Sequence, residues 1–300
     1  MQRLKPDPIP AIHPCPEHLA DMRLSAVYAD TKATLGVPWM GVVTMAFAHY
    51  PAFYATLWAG LRGVCRTAAF VDACASLRSH VEAQAAQMQP EYLPADLRAL
   101  GYTEPELDQI RRLIEVFSAG NMPYLLIATV ARLLLEGHGF ATAAMPVSQR
   151  IAVPAMPGAA ALTLVEPHHA DMPTQRVYQD IRQTLALPFV NTDYRALARW
   201  PSYFGLAWTR LKPQVGTASY EAAVASTHGF AVELAAALPL PDDLTSAALA
   251  AAAERDASVT EVLAVVRLFQ WLLPGLAANV AGFRMQMMDE PGHRRAGDAA

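Results

Sequence analysis

The segment LALPFVNTDYRALARWP, residues 185–201, has a counterpart 150 positions earlier, LGVPWMGVVTMAFAHYP, residues 35–51. In both segments a leucine comes first, a proline precedes an aromatic residue, and a second proline closes the run. Against this shared frame one difference stands out: the triplet NTD at 191–193 replaces GVV at 41–43. The shared frame predicts the fold, and the difference predicts the site.

The similarity extends beyond these two segments. Without gaps, residues 27–58 and 177–208 are identical at ten of 32 positions. A fainter match aligns IRRLIEVFSAGNMPYLL with VLAVVRLFQWLLPGLAA, with Phe117 over Phe269. A period of this length is too long for a solenoid and indicates a duplicated module. We therefore expect a helical repeat at 1–140, an inter-repeat linker at 141–173, a second helical repeat at 174–289 and a disordered tail at 290–300.

Start and stop signals for helices recur along the chain. Thr103 begins a Thr-x-x-Glu capping box, and Pro51 and Pro201 suit the first turn of new helices, where the missing N–H has no helical partner anyway. We expect the helix that follows Thr103 to end at Gly120. Strand-like alternation is nearly absent, and prolines in its one weak candidate, residues 150–167, favour a linker. The predicted fold is all-α, with two tandem helical repeats forming a pseudo-dimer around a shared active-site cavity.

Composition limits the range of partners. Hydrophobic residues make up 53% of the chain and charged residues 17%, and the net charge is −4 without a basic cluster. These values argue against a nucleic acid partner and supply apolar surface for a core and a homodimer interface. The sequence suggests no apolar run of membrane-spanning length and no signal-peptide core near its start. Three widely spaced cysteines suit reduced thiols, so we expect a cytoplasmic protein without a membrane partner.

Polar residues that only one half carries are the candidate site. Asn191, Thr192 and Asp193 belong to the second half, and Asn121 belongs to the first, where the second half has leucine. Each also fits a helix cap or first turn, because these side chains satisfy free N–H groups there. The first half closes the equivalent turn with the apolar triplet at 41–43, so the fold does not require a polar cap. We therefore expect these polar residues to line one asymmetric cavity.

On these residues the chain resembles the group I 2-haloacid dehalogenases, an all-α family built from two repeats. The similarity covers nearly the whole length and is closest in VPWMGVV, SAGNMPYLL and LPFVNTDYRALARWPSYF. Members hydrolyse short 2-halocarboxylic acids to 2-hydroxy acids with inversion at C2, by direct attack of water. The resemblance implies that Asp193 activates this water and that Asn121 helps to hold it. It also implies a substrate pocket formed by Trp39, Val42, Tyr124, Asn191, Thr192 and Phe269.

The chemistry agrees with these residue types. A carboxylate of near-normal pKa is ionised at neutral pH and accepts the proton of the attacking water, while an amide orients that water. Halide is a stable leaving group, so an apolar pocket suffices and no metal or organic cofactor is expected. Backbone N–H groups at the helix start around 191–194 are expected to receive the substrate carboxylate. In the family, the residue two before the base affects stereochemical preference, and Asn191 is not small, which favours the D-enantiomer.

Alternative functions have weaker support in the sequence. Histidines near Cys15 and at 168–169 lack the spacing of a recognised metalloenzyme motif. Cys65 and Cys74 do not form the C-x-x-C pair of an alkylhydroperoxidase-type enzyme. Signatures of acyl hydrolases, P-loops and dinucleotide-binding folds are absent from the sequence. The serious alternative is a non-catalytic helical ligand-binding or interaction protein that retains the dehalogenase fold.

Overall fold

The structure is a computed structural model that describes residues 2–88, 90–141 and 162–288. Within these ranges the chain is helical and contains no β-strand, which confirms the all-α prediction. The first half forms α1 Met22–Leu35, α2 Val42–Phe47, α3 Pro51–Val64, α4 Ala68–Gln87, α5 Pro94–Ala99 and α6 Glu104–Leu135. The second half forms α7 Met172–Leu185, α8 Thr192–Leu197, α9 Pro201–Leu211, α10 Ala218–Ala236, α11 Ser246–Glu254 and α12 Val259–Gln286. The predicted tail and most of the predicted linker lie outside the described residues.

The helices of the two halves follow each other at a nearly constant interval. Helices α7 to α10 begin 150 positions after α1 to α4, respectively. The intervals grow to 152 positions for α5 and α11 and to 155 for α6 and α12. Helix α7 begins at Met172, two positions before the start that we predict for the second repeat. The order of elements is the one that a duplicated module predicts.

Residues that are identical in the two halves make equivalent contacts. The indole N–H of Trp58 in α3 donates to Asp30 in α1 over 3.0 Å, and that of Trp208 in α9 donates to Asp180 in α7 over 2.7 Å. One tyrosine in each half donates to the backbone carbonyl thirteen residues earlier, over 2.9 and 2.8 Å. Packing therefore accounts for the shared residues, as distinct from the polar residues that only one half carries.

Helices α6 and α12 form the centre of the molecule. They pack along each other, while α10 packs on α6 and α4 packs on α12, so each half covers the central helix of the other. Helix α6 continues through Gly120 and Pro123 to Leu135, so the predicted stop at Gly120 is wrong. Packing from both halves holds the helix together where proline removes one backbone hydrogen bond. Gly120 instead gives room to Trp39, whose ring carbon would lie 2.2 Å from an added Cβ.

Other helix boundaries match their sequence signals. The capping box forms, and the Thr103 backbone N–H donates to the Glu106 carboxylate over 2.8 Å. Prolines occupy the first turn of α3 and α9, as predicted. Gly36 ends α1 with a φ of 67°, in the left-handed region that favours glycine. These ends are determined locally, whereas the course of α6 is determined by packing.

Two helices are long and apolar enough to span a membrane by length and composition, contrary to the sequence expectation. They are α6 and α12, with 32 and 28 residues. The expectation considered only uninterrupted apolar runs, whereas both of these helices carry charged residues, Arg132 in α6 and Arg267 in α12. The most apolar windows of α6 and α12 are 83% and 72% buried inside the protein. Their apolar surface is thus used by the core of the bundle.

Candidate active site

Both triplets that differ between the halves line the same small cavity. Residues 41–43 form one side and residues 191–193 another, with side chains of α6 and α12 between them. The cavity has a free volume of about 20 Å³, which is the space that roughly one water molecule needs. All eight residues predicted for the site line it: Trp39, Val42, Asn121, Tyr124, Asn191, Thr192, Asp193 and Phe269.

Short helices place the triplets at the cavity. Helix α2 begins at Val42 and α8 begins at Thr192, so each triplet supplies the N-cap residue and the first turn of a six-residue helix. Helix α2 packs on α6 and α12, and α8 packs on α6. The starts of α2 and α8 therefore meet beside the central helices, and Asn121 on α6 faces Asp193 on α8.

A buried hydrogen bond connects the two halves at this point. The Asn121 side-chain amide donates from Nδ2 to Asp193 Oδ1 over 2.7 Å. Only 4% of Asn121 and 2% of Asp193 is exposed to solvent. Because an ionised carboxylate in a buried place needs a donor, the hydrogen bond from Asn121 stabilises the charged form of Asp193.

The environment changes the acidity of Asp193. Burial raises the pKa of its carboxyl group to about 6, although the hydrogen bond from Asn121 and the cation of Arg195 act to lower that pKa. The sequence expectation of a near-normal pKa is therefore wrong, because loss of hydration outweighs the helix start and the amide donor. A carboxyl group with a pKa near 6 is still largely ionised at neutral pH and is a stronger base than an exposed aspartate.

Helix capping does not explain the polar residues of the cavity. Asn191 occupies the N-cap of α8, but its side chain makes no capping hydrogen bond. Its Oδ1 atom is buried and has no hydrogen-bond partner. Asn121 lies in the middle of α6, so the interpretation of this residue as an N-cap is wrong. The two amides instead present polar groups to the cavity.

Aromatic side chains form the wall beside Asn121 and Asp193. The Tyr124 hydroxyl donates to the backbone carbonyl of Trp39 over 2.6 Å, and the two rings lie 5.9 Å apart between centroids. Phe117 packs on the Trp39 ring at 4.9 Å in an edge-on geometry. On the opposite side Phe269 packs edge-on against Phe47, with centroids 6.0 Å apart. These buried contacts hold the rings in place and separate the cavity from bulk solvent.

Sequence reasoning missed several cavity residues. They are Gly41, Val43, Leu273 and Leu276, which the structure adds to the lining. At Gly41 an added Cβ would lie 3.0 Å from the Tyr124 ring, which is closer than ordinary van der Waals contact. The comparison of the triplets pointed to Gly41, because glycine stands where the other half has Asn191. The sequence does not reveal that the Tyr124 ring approaches Gly41.

The histidines named above do not assemble into a metal site. Across the described ranges, no group of three or more His, Cys, Asp or Glu side chains is placed to hold a metal ion. The rings of His168 and His169 pack on each other with centroids 4.0 Å apart. Within the described part of the chain, the cavity around Asp193 is therefore the best-supported centre for chemistry.

Comparisons with known proteins identify the family of the chain. The family described as halocarboxylic acid dehydrogenase DehI matches residues 38–194, just over half of the chain. An (R)-2-haloacid dehalogenase from Rhizobium sp. (strain NHG3) is 43% identical over 251 residues, which cover 80% of this chain and 93% of that protein. An (R)-2-haloacid dehalogenase from Pseudomonas putida is 39% identical over 293 residues, covering 92% and 93%. The chain belongs to the DehI family of 2-haloacid dehalogenases.

Solved structures of D-2-haloacid dehalogenases have the same fold. A structure of a D-2-haloacid dehalogenase in complex with L-LA superposes with a TM-score of 0.88 at 37% identity, and covers 96% of this chain and 100% of that one. A mutant of a D-2-haloacid dehalogenase with D-2-CPA gives the same TM-score and identity. The resemblance identified in the sequence is therefore confirmed at the level of family and fold.

The raised pKa of Asp193 predicts that this residue destabilises the folded protein. Between the unfolded value near 3.8 and the folded value of about 6, only the native state keeps the proton, so stability falls as the pH rises through this window. Asp193→Asn removes the charge and keeps an acceptor for Asn121. We expect this variant to be more stable at pH 7.5, on the order of 1–3 kcal/mol, with the difference disappearing below pH 4.

Urea unfolding of both proteins at pH 7.5 and at low pH measures this difference. The matched control is Asp242→Asn on the surface, which we expect to leave the midpoint unchanged. If wild type and Asp193→Asn have equal free energies of unfolding at pH 7.5, burial of the ionised Asp193 carboxylate does not destabilise the protein.

Proposed function

We propose that the protein hydrolyses the carbon–halogen bond of short D-2-halocarboxylic acids and releases the inverted 2-hydroxy acid. The observation that carries the proposal is the buried Asp193–Asn121 hydrogen bond in a small cavity with aromatic and apolar walls. Membership of the DehI family supports the reaction class. Asp193 acts as general base, and Asn121 orients both that base and the attacking water.

The reaction is a single displacement at C2. As Asp193 removes a proton, the water oxygen forms a bond to C2 from the side opposite the halogen, and the carbon–halogen bond breaks. The halogen leaves with the bonding electrons as halide, and the proton remains on Asp193 until solvent receives it. A water held by two fixed side chains needs little reorganisation at the moment of attack. Since the base is buried, its proton affinity matches the operating pH better than that of an exposed aspartate.

The pocket walls supply the remaining functions. Trp39, Tyr124 and Phe269 offer apolar contacts to the alkyl group and the halogen. Backbone N–H groups in the first turn of α8 are the proposed donors to the substrate carboxylate. Selection of the D-enantiomer is assigned to Asn191, which faces the cavity where the first half has glycine. The names of the two relatives described above and of the solved structures, which specify the (R) or D form, support selectivity for the D-enantiomer.

We also propose that the protein functions as a cytoplasmic homodimer. Its three cysteines are all unpaired, which suits a reducing compartment. Exposed apolar side chains at Leu19, Met22 and Met172 are candidates for contact with a second copy.

Halide release tests the reaction and the base together. We expect the wild type to release chloride from D-2-chloropropionate and far less from the L-form. Asp193→Asn should reduce the rate at least about a thousandfold, because the base is lost while the cavity is kept. Asp242→Asn serves as the matched control and should retain full activity. Equal, slow release by wild type and Asp193→Asn would favour a binding protein, and equal rates for both enantiomers would contradict the role of Asn191.

Isotope incorporation distinguishes direct water attack from an ester intermediate. In a single turnover with enzyme in excess and ¹⁸O-labelled water, direct attack places the label in the 2-hydroxy acid. Mass spectrometry of the peptide containing Asp193 should then show no label. Label in Asp193 after one turnover would contradict the proposed mechanism.

The pH dependence should report the buried base. Because a protonated Asp193 cannot accept a proton, kcat/KM should fall as the pH decreases through about 6. Asn121→Ala removes a hydrogen bond that lowers this pKa, so the acid limb should move to higher pH and the maximal rate should drop. Initial rates between pH 4.5 and 8.5 measure both effects. An acid limb near pH 4 in the wild type would mean that the base is an exposed carboxyl group.

A further inference from the structure

An open groove adjoins the catalytic cavity. It has a volume of about 1030 Å³ and is lined by segments of both halves. Trp39, Val42 and Thr192 line both the groove and the cavity, so these three side chains form the partition between them. The cavity has room for roughly one water molecule, and a 2-haloacid is larger. The substrate therefore has to pass the partition from the groove, and the cavity has to widen as it enters.

One partition residue is held by a charged side chain. Arg195 donates from Nη2 to Thr192 Oγ1 over 3.2 Å and from Nη1 to both carboxylate oxygens of Glu166, over 2.7 and 2.8 Å. The Arg195 side chain is 16% exposed and that of Glu166 is 37% exposed. The Nε atom of Arg195 is buried and has no hydrogen-bond partner. A guanidinium with one unused buried donor thus lies in the groove wall next to the partition.

The fold itself does not require this ion pair. In the second half the Val165 N–H donates to the Arg195 carbonyl over 3.0 Å, and in the first half the Cys15 N–H donates to the Met45 carbonyl over 3.0 Å. The backbone arrangement is therefore repeated, but Met45 stands in the place of Arg195, and a proline stands in the place of Glu166. The ion pair is present only in the half that carries Asp193.

We propose that Arg195 is the substrate-binding residue of the entrance, where the carboxylate of the incoming 2-haloacid replaces Glu166. A guanidinium binds a carboxylate side-on through Nε and one Nη atom, which would satisfy the unused Nε donor. Glu166 is the more exposed partner and regains hydration when it leaves. When the substrate carboxylate replaces Glu166 on Arg195, the hydrogen bond from Arg195 to Thr192 also weakens. Thr192 can then move, and the partition between groove and cavity opens. This inference rests on the proposed function, because it assumes an anionic substrate for the cavity.

Variants of the pair test the exchange. Glu166→Gln weakens the competitor for Arg195, so the KM for D-2-chloropropionate and the dissociation constant for propionate should both fall a few-fold. Arg195→Gln removes the binding charge, so both constants should rise by about tenfold or more, while kcat changes less than about threefold. Arg195→Lys should restore part of the affinity for propionate. Arg255→Gln, an equal charge change at the exposed residue that follows α11, is the control and should leave both constants unchanged.

If the substrate carboxylate replaces Glu166 on Arg195, Glu166→Gln and Arg195→Gln must change the dissociation constant for propionate in opposite directions. If Glu166→Gln and Arg195→Gln weaken propionate binding alike, the pair only supports the local structure and the proposal is overturned. Thermal unfolding of each variant identifies a general loss of folding. Calorimetric titration with propionate needs no turnover, so it separates the two proposals. If the wild type releases no halide but binds propionate in a way that depends on Arg195, the proposed function is wrong and the role of Arg195 stands. If the wild type releases halide but neither variant changes the KM or the dissociation constant, the proposed function stands and the role of Arg195 is overturned.

Discussion

Burial of one carboxylate between two packed halves is the constraint on which this molecule depends. Asp193 is almost completely enclosed, and a charged group in such a place is tolerated only with a suitably placed donor. That donor, Asn121, comes from the central helix of the other half. The site therefore exists only when both halves are folded and docked, and the cost of desolvation is what makes the carboxyl group a stronger base.

The central helices meet this constraint by continuing through residues that usually end helices. Helix α6 carries Gly120, Asn121 and Pro123 in its interior. Gly120 lets the indole of Trp39 approach the helix backbone, and Asn121 on the next position reaches Asp193. A helix that ended at Gly120 would lose the rigid support of its second half, which is buried against α12. Packing thus outweighs the tendency of glycine and proline to end a helix, and it does so next to Asn121.

Much of the fold and the site followed from comparing the chain with itself. The repeat and its helix signals predicted an all-α protein, and the differing triplet at 191–193 with Asn121 predicted residues that the structure brings together. The errors came from properties that a local pattern does not contain. The course of α6 depends on neighbours from both halves, and the pKa of Asp193 depends on how completely the cavity excludes water. Gly41 was visible as a difference, but its contact with Tyr124 was not.

The presence of both triplets in one chain has a consequence for symmetry. In a dimer of identical subunits, a cavity on the two-fold axis receives the same residues from each side, because the operator that relates the subunits also relates their side chains. An aspartate at position 193 would then face a second aspartate, and two close carboxylates cannot both stay ionised. In a single chain the two equivalent positions, 43 and 193, can carry different residues because each has its own codon. Valine opposite aspartate is an arrangement that exact two-fold symmetry forbids.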